Sequence, residues 1–182
     1  TLKNSNFDEV YIDSDSEEIE DYSKKNNFKF ILRKPHLAED NANGNDLLIH
    51  HQSLIDADIY FQIFVTAPLL KLHSINQCIS ILKNNKNYDS ILTSKKLFTW
   101  CWFNGEPINY NPKILPRSQD AKPLIIETTG LYGITKKSLL ENKSRIGSAP
   151  YFYEVSNEES IDLDDEDDFK LLEFYVAKNN FI

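Results

Sequence analysis

The stretch running from Ile161 to Phe169, IDLDDEDDF, gathers the carboxylates best suited to chemistry. Asp162 and Asp164 stand two residues apart, and at the end of a strand that spacing turns both side chains to one side. Such a pair suits magnesium, a hard cation that takes one or two carboxylates together with substrate phosphate and water. The same residues suit a plainer task. Acidic side chains complement a helix N-terminus, and Asp164 or Asp165 is placed to cap a helix carrying Phe169 and Leu171.

A second acidic pair, Asp13-Ser14-Asp15, follows a strand at the carboxyl end, where open α/β sheets place their ligands. Here too a cap competes, because Ser14 or Asp15 precedes Glu17 and Glu18. Arg33 directly follows the strand signal FKFIL. A guanidinium there forks onto a phosphate or carboxylate, or else forms a surface ion pair. Arg117, Gln119 and Asp120, between Pro116 and Pro123, offer donors and acceptors to a polyhydroxylated ligand or make a plain loop. His36, His50, His51 and His73 include no pair at metal-binding helical spacing, and neighbouring His50 and His51 point to different sides of a helix, so no role is assigned to them. Serine-nucleophile motifs, Walker loops and Gly-x-Gly-x-x-Gly are absent.

The elements that must position these residues alternate. FDEVYIDS (7–14) reads as strand, SEEIEDYSKKN (16–26) as helix, FKFILR (28–33) as strand and residues 46–55 as helix. IYFQIFVTA (59–67) is the most continuously apolar strand and is expected to be central, covered on both faces. A helix over 72–82 and a strand over 88–94 follow, which predicts a parallel sheet with helical crossovers. FTWCWFNGEPINY departs from the pattern: it alternates around Asn104-Gly105, a dipeptide suited to a tight hairpin because both residues tolerate positive φ. Its aromatic residues, Phe98, Trp100, Trp102, Phe103 and Tyr110, pack either on the core or on a second subunit. PLIIETTGLYGIT returns as strand, KKSLLEN as a short helix, PYFYEVS as a last strand and DEDDFKLLEFYVAKNN as a closing amphipathic helix.

Composition sets outer limits. At 182 residues the chain has the size of one domain, and no repeat or low-complexity linker divides it. The net charge of −8 argues against a nucleic-acid backbone as partner, which needs a basic surface. Cys78 and Cys101 are too few for a disulfide framework or a four-ligand zinc site, so a reducing cytoplasm is expected. No apolar run approaches the ~20 residues of a membrane span and no basic-then-apolar leader opens the sequence, so membrane insertion and secretion are not expected. Position 1 is threonine and the chain has no methionine, from which a start downstream of the translational start is expected.

Seven blocks, in order, resemble the acylneuraminate cytidylyltransferase (CMP-N-acetylneuraminic acid synthetase) family: VYIDSDSEEIEDYSKK, FILRKPHLAEDNAN, FVTAPLL, RSQD, ETTGLYGITKKSLL, RIGSAPYFYEV and SIDLDDEDDFKLLE. The resemblance implies a Rossmann-like, three-layer α/β nucleotidyltransferase fold with a mostly parallel sheet, in one domain over 1–182, with an inserted hairpin arm at 97–122 through which a homodimer forms. It implies a cytoplasmic enzyme that joins CTP to a sialic-acid-like nonulosonic acid with magnesium, releasing CMP-sugar and pyrophosphate. It places the metal on Asp162 and Asp164 as the catalytic pair, the nucleotide near Arg33, and the sugar acid near Arg117, Gln119 and Tyr132.

The sequence also departs from that family. Relatives open with a strand and a basic glycine loop that grips the CTP phosphates, and the resemblance here begins after it, so a domain lacking that strand and loop is expected. Phe64 stands for a frequent glutamine, Leu70 for an arginine and Thr128 for an asparagine, differences that bear on which sugar acid is taken. A relative that binds or dimerises without catalysis is the alternative reading. A metal-dependent glycosyltransferase fits the blocks after Arg117 poorly.

Overall fold

A computed structural model describes residues 2–178. The elements in chain order are β1 (Tyr11–Ser14), α1 (Glu17–Lys25), β2 (Lys29–Leu32), α2 (Gly44–Leu54), β3 (Ile59–Ile63), α3 (Leu72–Asn84), β4 (Ser90–Leu97), β5 (Trp102–Phe103), β6 (Glu106–Pro107), β7 (Leu124–Thr135), α4 (Lys136–Asn142), β8 (Pro150–Glu154) and α5 (Glu166–Lys178). Strand–helix alternation up to β4 follows the sequence pattern closely. The last two residues of the expected closing helix, Asn179 and Asn180, lie outside the described residues.

The chain forms two compact units. One holds Lys71–Ile91, Tyr132–Tyr151 and the stretch up to Gln62; the other holds Ile63–Leu70, Leu92–Leu131 and the stretch from Phe152. β1 and β2 pair in parallel, with Asp13 opposite Ile31 and Ser14 opposite Leu32, as a strand–helix–strand crossover requires. A four-stranded sheet runs in the order β3-β7-β4-β8.

β3 therefore ends the hydrogen-bonded ladder and is not central; β7 and β4 are the inner strands. Burial explains the correction. Along β3 only Tyr60 and Gln62 are buried and their neighbours are half-exposed, whereas the first five residues of β4 are buried without alternation, as expected of a strand covered on both faces. β3 also stops at Ile63, four residues short of the expected end, because the chain turns there: the Ala67 N–H donates to the Phe64 carbonyl at 3.2 Å and the Leu70 N–H to the Ala67 carbonyl at 3.3 Å.

In the first unit Leu48 of α2, Tyr60 of β3, Ile134 of β7 and Leu139 of α4 form a buried apolar cluster. The Tyr60 hydroxyl stays satisfied inside it, donating to the Ile55 carbonyl at 2.7 Å. In the second unit β5 and β6 form the antiparallel hairpin expected at Asn104-Gly105. Both turn residues have positive φ, 49° and 82°, the conformation a two-residue hairpin turn needs. Asn109, 9% exposed, ties its base: Oδ1 accepts from the Cys101 N–H at 2.9 Å, and Nδ2 donates to the carbonyls of Thr99 at 2.6 Å and Lys122 at 2.8 Å. No helix among the described residues is long and apolar enough to cross a membrane.

Candidate active site

In the second unit the segment carrying Asp162 and Asp164 is not the end of a strand. β8 stops at Glu154, a turn closed by the Ser160 N–H on the Ser156 carbonyl at 3.0 Å intervenes, and the Leu163 N–H is spent on the Thr66 carbonyl at 2.8 Å rather than on a ladder. The two carboxylates consequently have different surroundings. Asp162 is half-buried and Asp164 exposed. Oδ2 of Asp162 accepts a short hydrogen bond from the Thr129 hydroxyl. Oδ1 is buried and has no hydrogen-bond partner among the described residues.

The capping role falls to Asp165. Its Oδ1 accepts from the N–H groups of Asp167 at 2.8 Å and Asp168 at 3.0 Å, while Asp168 Oδ2 accepts from the N–H groups of Asp164 at 3.1 Å and Asp165 at 3.2 Å. This reciprocal pattern satisfies the free amides that open α5. The side chains of Asp162 and Asp164 are not engaged in the cap. A buried, unsatisfied carboxylate oxygen costs about 1–3 kcal/mol unless something meets it. Among the described residues no three His, Cys, Asp or Glu side chains group to hold a metal, but magnesium needs only one or two carboxylates beside substrate phosphates. The donor set fits it.

Arg117, Gln119 and Asp120 lie at a single turn of 3-10 helix, Ser118–Asp120. Arg117 forks onto Asp120, Nε to Oδ2 at 2.6 Å and Nη2 to Oδ1 at 3.1 Å. All three residues are exposed, so water screens the Arg117–Asp120 pair.

In the first unit Arg33 is an ion-pair partner. Its Nε donates to Asp13 Oδ1 at 2.8 Å and its Nη2 to the Asp13 carbonyl at 3.2 Å. Asp13 Oδ2 also meets Nε2 of His51, on α2. Burial alone pushes the Asp13 carboxyl up, but the hydrogen bonds from His51 and Arg33 outweigh it and hold it below the ordinary 3.8. His51, given no role from spacing, is thus part of the cluster. Its partner lies 38 residues away, and periodicity within one helix carries no signal of that. The cap of α1 is Ser16, whose Oγ accepts from the Ile19 N–H at 3.5 Å, and not Ser14 or Asp15. Ser14 Oγ instead accepts from the Ser16 N–H at 3.1 Å.

Tyr132 is 2% exposed, and the Arg145 guanidinium lies over its ring at 3.7 Å, a cation–π arrangement. Beside it the RIGSAP segment is tied by Asp89. The Asp89 carboxylate accepts from the N–H groups of Ser148 at 2.8 Å and Ala149 at 3.0 Å and from the hydroxyls of Ser138 and Ser90, both at 3.0 Å. Burial works to raise that carboxyl, and the four donors bring it below its ordinary value. Gly147 is required there, since a Cβ would stand 2.3 Å from Asp89 Oδ1.

A family model described as Cytidylyltransferase matches residues 1–159. The chain belongs to the cytidylyltransferase family. Arg33, Arg117, Gln119 and Tyr132 fall inside the matched stretch, and Asp162 and Asp164 just beyond it. Among curated proteins, the chain is 25% identical over 181 residues to the zebrafish (Danio rerio) N-acylneuraminate cytidylyltransferase A, covering 94% of this chain and 42% of the relative. It is 26% identical over 168 residues to the N-acylneuraminate cytidylyltransferase of Streptococcus agalactiae serotype V, covering 88% of this chain and 41% of the relative. The chain thus spans about two fifths of the length of these relatives. Among solved structures, CMP:2-keto-3-deoxy-manno-octonic acid synthetase complexed with CTP superposes with a TM-score of 0.70 at 13% identity, covering 98% of this chain and 85% of that one. That similarity establishes the α/β cytidylyltransferase fold.

Proposed function

We propose that this cytidylyltransferase transfers CMP from CTP to a sialic-acid-like nonulosonic acid and releases pyrophosphate. The observation that carries the reading is Asp162 Oδ1, buried and unpartnered among the described residues, in a chain whose family is defined by cytidylyl transfer. The anomeric hydroxyl of the sugar acid attacks the α-phosphorus of CTP, so the protein's work is chiefly positioning and charge neutralisation. Asp162 and Asp164 would hold magnesium, and the ion would supply neutralisation of charge developing on the phosphates.

The other roles follow from donor chemistry. Arg33 keeps Nη1 clear of its bonds to Asp13 and offers it to the nucleotide. Arg117 exchanges Asp120 for the sugar carboxylate, and Gln119 hydrogen-bonds its hydroxyls. The hairpin carries the homodimer contact: Trp102 and Phe103 are 57% and 67% exposed, and aromatic side chains of that kind are enriched at interfaces. A cytoplasmic setting matches the use of CTP.

Pyrophosphate release from CTP, assayed against a panel of nonulosonic acids, tests the reading. Release that depends on a sugar acid and is lost in Asp162→Ala supports it. Release unchanged in that variant removes Asp162 from the mechanism.

A further inference from the structure

Thr129 is the one residue of β7 that breaks its geometry. Its φ is +53°, a left-handed conformation in which a β-branched residue is an outlier. It also stands where the alternation of β7 ends: burial rises and falls from Leu124 to Gly130 and is then unbroken through Ile134. A local break of this kind re-aims a side chain. Here the redirected hydroxyl donates to Oδ2 of Asp162, leaving Oδ1 as the buried oxygen without a partner among the described residues.

The loop Phe64–Leu70 supports both residues. The Phe64 N–H donates to the Gly130 carbonyl, next to Thr129, at 3.2 Å, and the Thr66 carbonyl accepts from the Leu163 N–H, next to Asp162, at 2.8 Å. A Cβ on Gly130 would stand 3.1 Å from the Ala67 Cβ, so that loop approaches β7 closely. One short segment therefore fixes the backbone on either side of the Thr129–Asp162 bond.

We propose that Thr129 is a positioning residue: its hydroxyl claims one oxygen of Asp162 and thereby presents the other to a divalent cation. The inference rests on the reading of Asp162 as a cation ligand. Outer partners of a metal-binding carboxylate set its orientation, and their loss costs about 10–100-fold in affinity.

Manganese binding to the whole chain, followed by loss of the free-ion electron paramagnetic resonance signal, tests it alongside thermal unfolding. Thr129→Gly removes the hydroxyl while easing the positive φ, so the expected result is an unchanged or raised unfolding midpoint with manganese affinity reduced about 10–100-fold. Thr129→Ser, which keeps the hydroxyl, restores the affinity. If Thr129→Gly binds manganese as tightly as the parent while Asp162→Asn does not, Thr129 is only a backbone feature and the inference fails alone. If the parent does not bind manganese, or Asp162→Asn binds it equally well, the cation reading fails and takes the inference with it.

Discussion

Arg33 is clamped twice by Asp13, from Nε to the carboxylate at 2.8 Å and from Nη2 to the backbone carbonyl at 3.2 Å, across the parallel pair β1–β2. The Asp13 side chain is only 13% exposed, and His51 holds its second oxygen. Because these partners depress the Asp13 carboxyl below 3.8, the folded state binds that proton less tightly than the unfolded chain does. The stability Asp13 contributes is present above that value and is lost as pH falls through the depressed folded one. Urea unfolding across this acid range should show a steeper loss of stability in the parent than in Asp13→Asn. Equal slopes would mean the pair is not formed in solution. At neutral pH Asp13→Ala should cost about 1.5–3 kcal/mol, the range for hydrogen bonds to charged groups.

Asp89 and Gly147 make a second, independent prediction. The carboxylate gathers four donors around a glycine whose place no side chain can share. Gly147→Ala should destabilise the fold by about 1–3 kcal/mol through overpacking. Asp89→Ala should do at least as much by stranding its donors, with both changes read from the denaturant midpoint. A Gly147→Ala variant as stable as the parent would show that the segment yields easily and that Asp89 does not tie it.

The hairpin predicts assembly. Trp100 stacks on Tyr110 at 5.6 Å and donates from Nε1 to the Pro116 carbonyl at 3.1 Å, so part of the aromatic set is committed to the arm itself. Phe98, Trp102 and Phe103 remain 51%, 57% and 67% exposed. The double variant Trp102→Ser, Phe103→Ser should convert a dimer to a monomer in sedimentation velocity without a large change in thermal midpoint. A parent that sediments as a monomer at all concentrations would show that the exposed hairpin aromatics do not join two chains.

What was legible in the sequence had a local cause. Asn104-Gly105 announced the hairpin because its turn needs two positive φ values, and α5 announced its start because acidic residues satisfy free amides. What was not legible depended on distant partners. The apolar run of β3 looked central, yet its place is settled by what pairs with it, and β7 takes the inner position. Asp162 and Asp164 were placed as candidates, but their unequal burial and the bond from Thr129 come from a contact 33 residues away. His51 became visible only once its ring met the Asp13 carboxylate on β1. The left-handed Thr129 gave no sign at all, since threonine is the residue type a strand favours.

Calorimetric titration of the chain with CTP, with and without magnesium, asks whether Asp162 takes part in holding the nucleotide through a cation. CTP binding should strengthen with magnesium in the parent and lose that dependence in Asp162→Ala. CTP binding equally strong with and without magnesium, or unaffected by Asp162→Ala, would contradict that role.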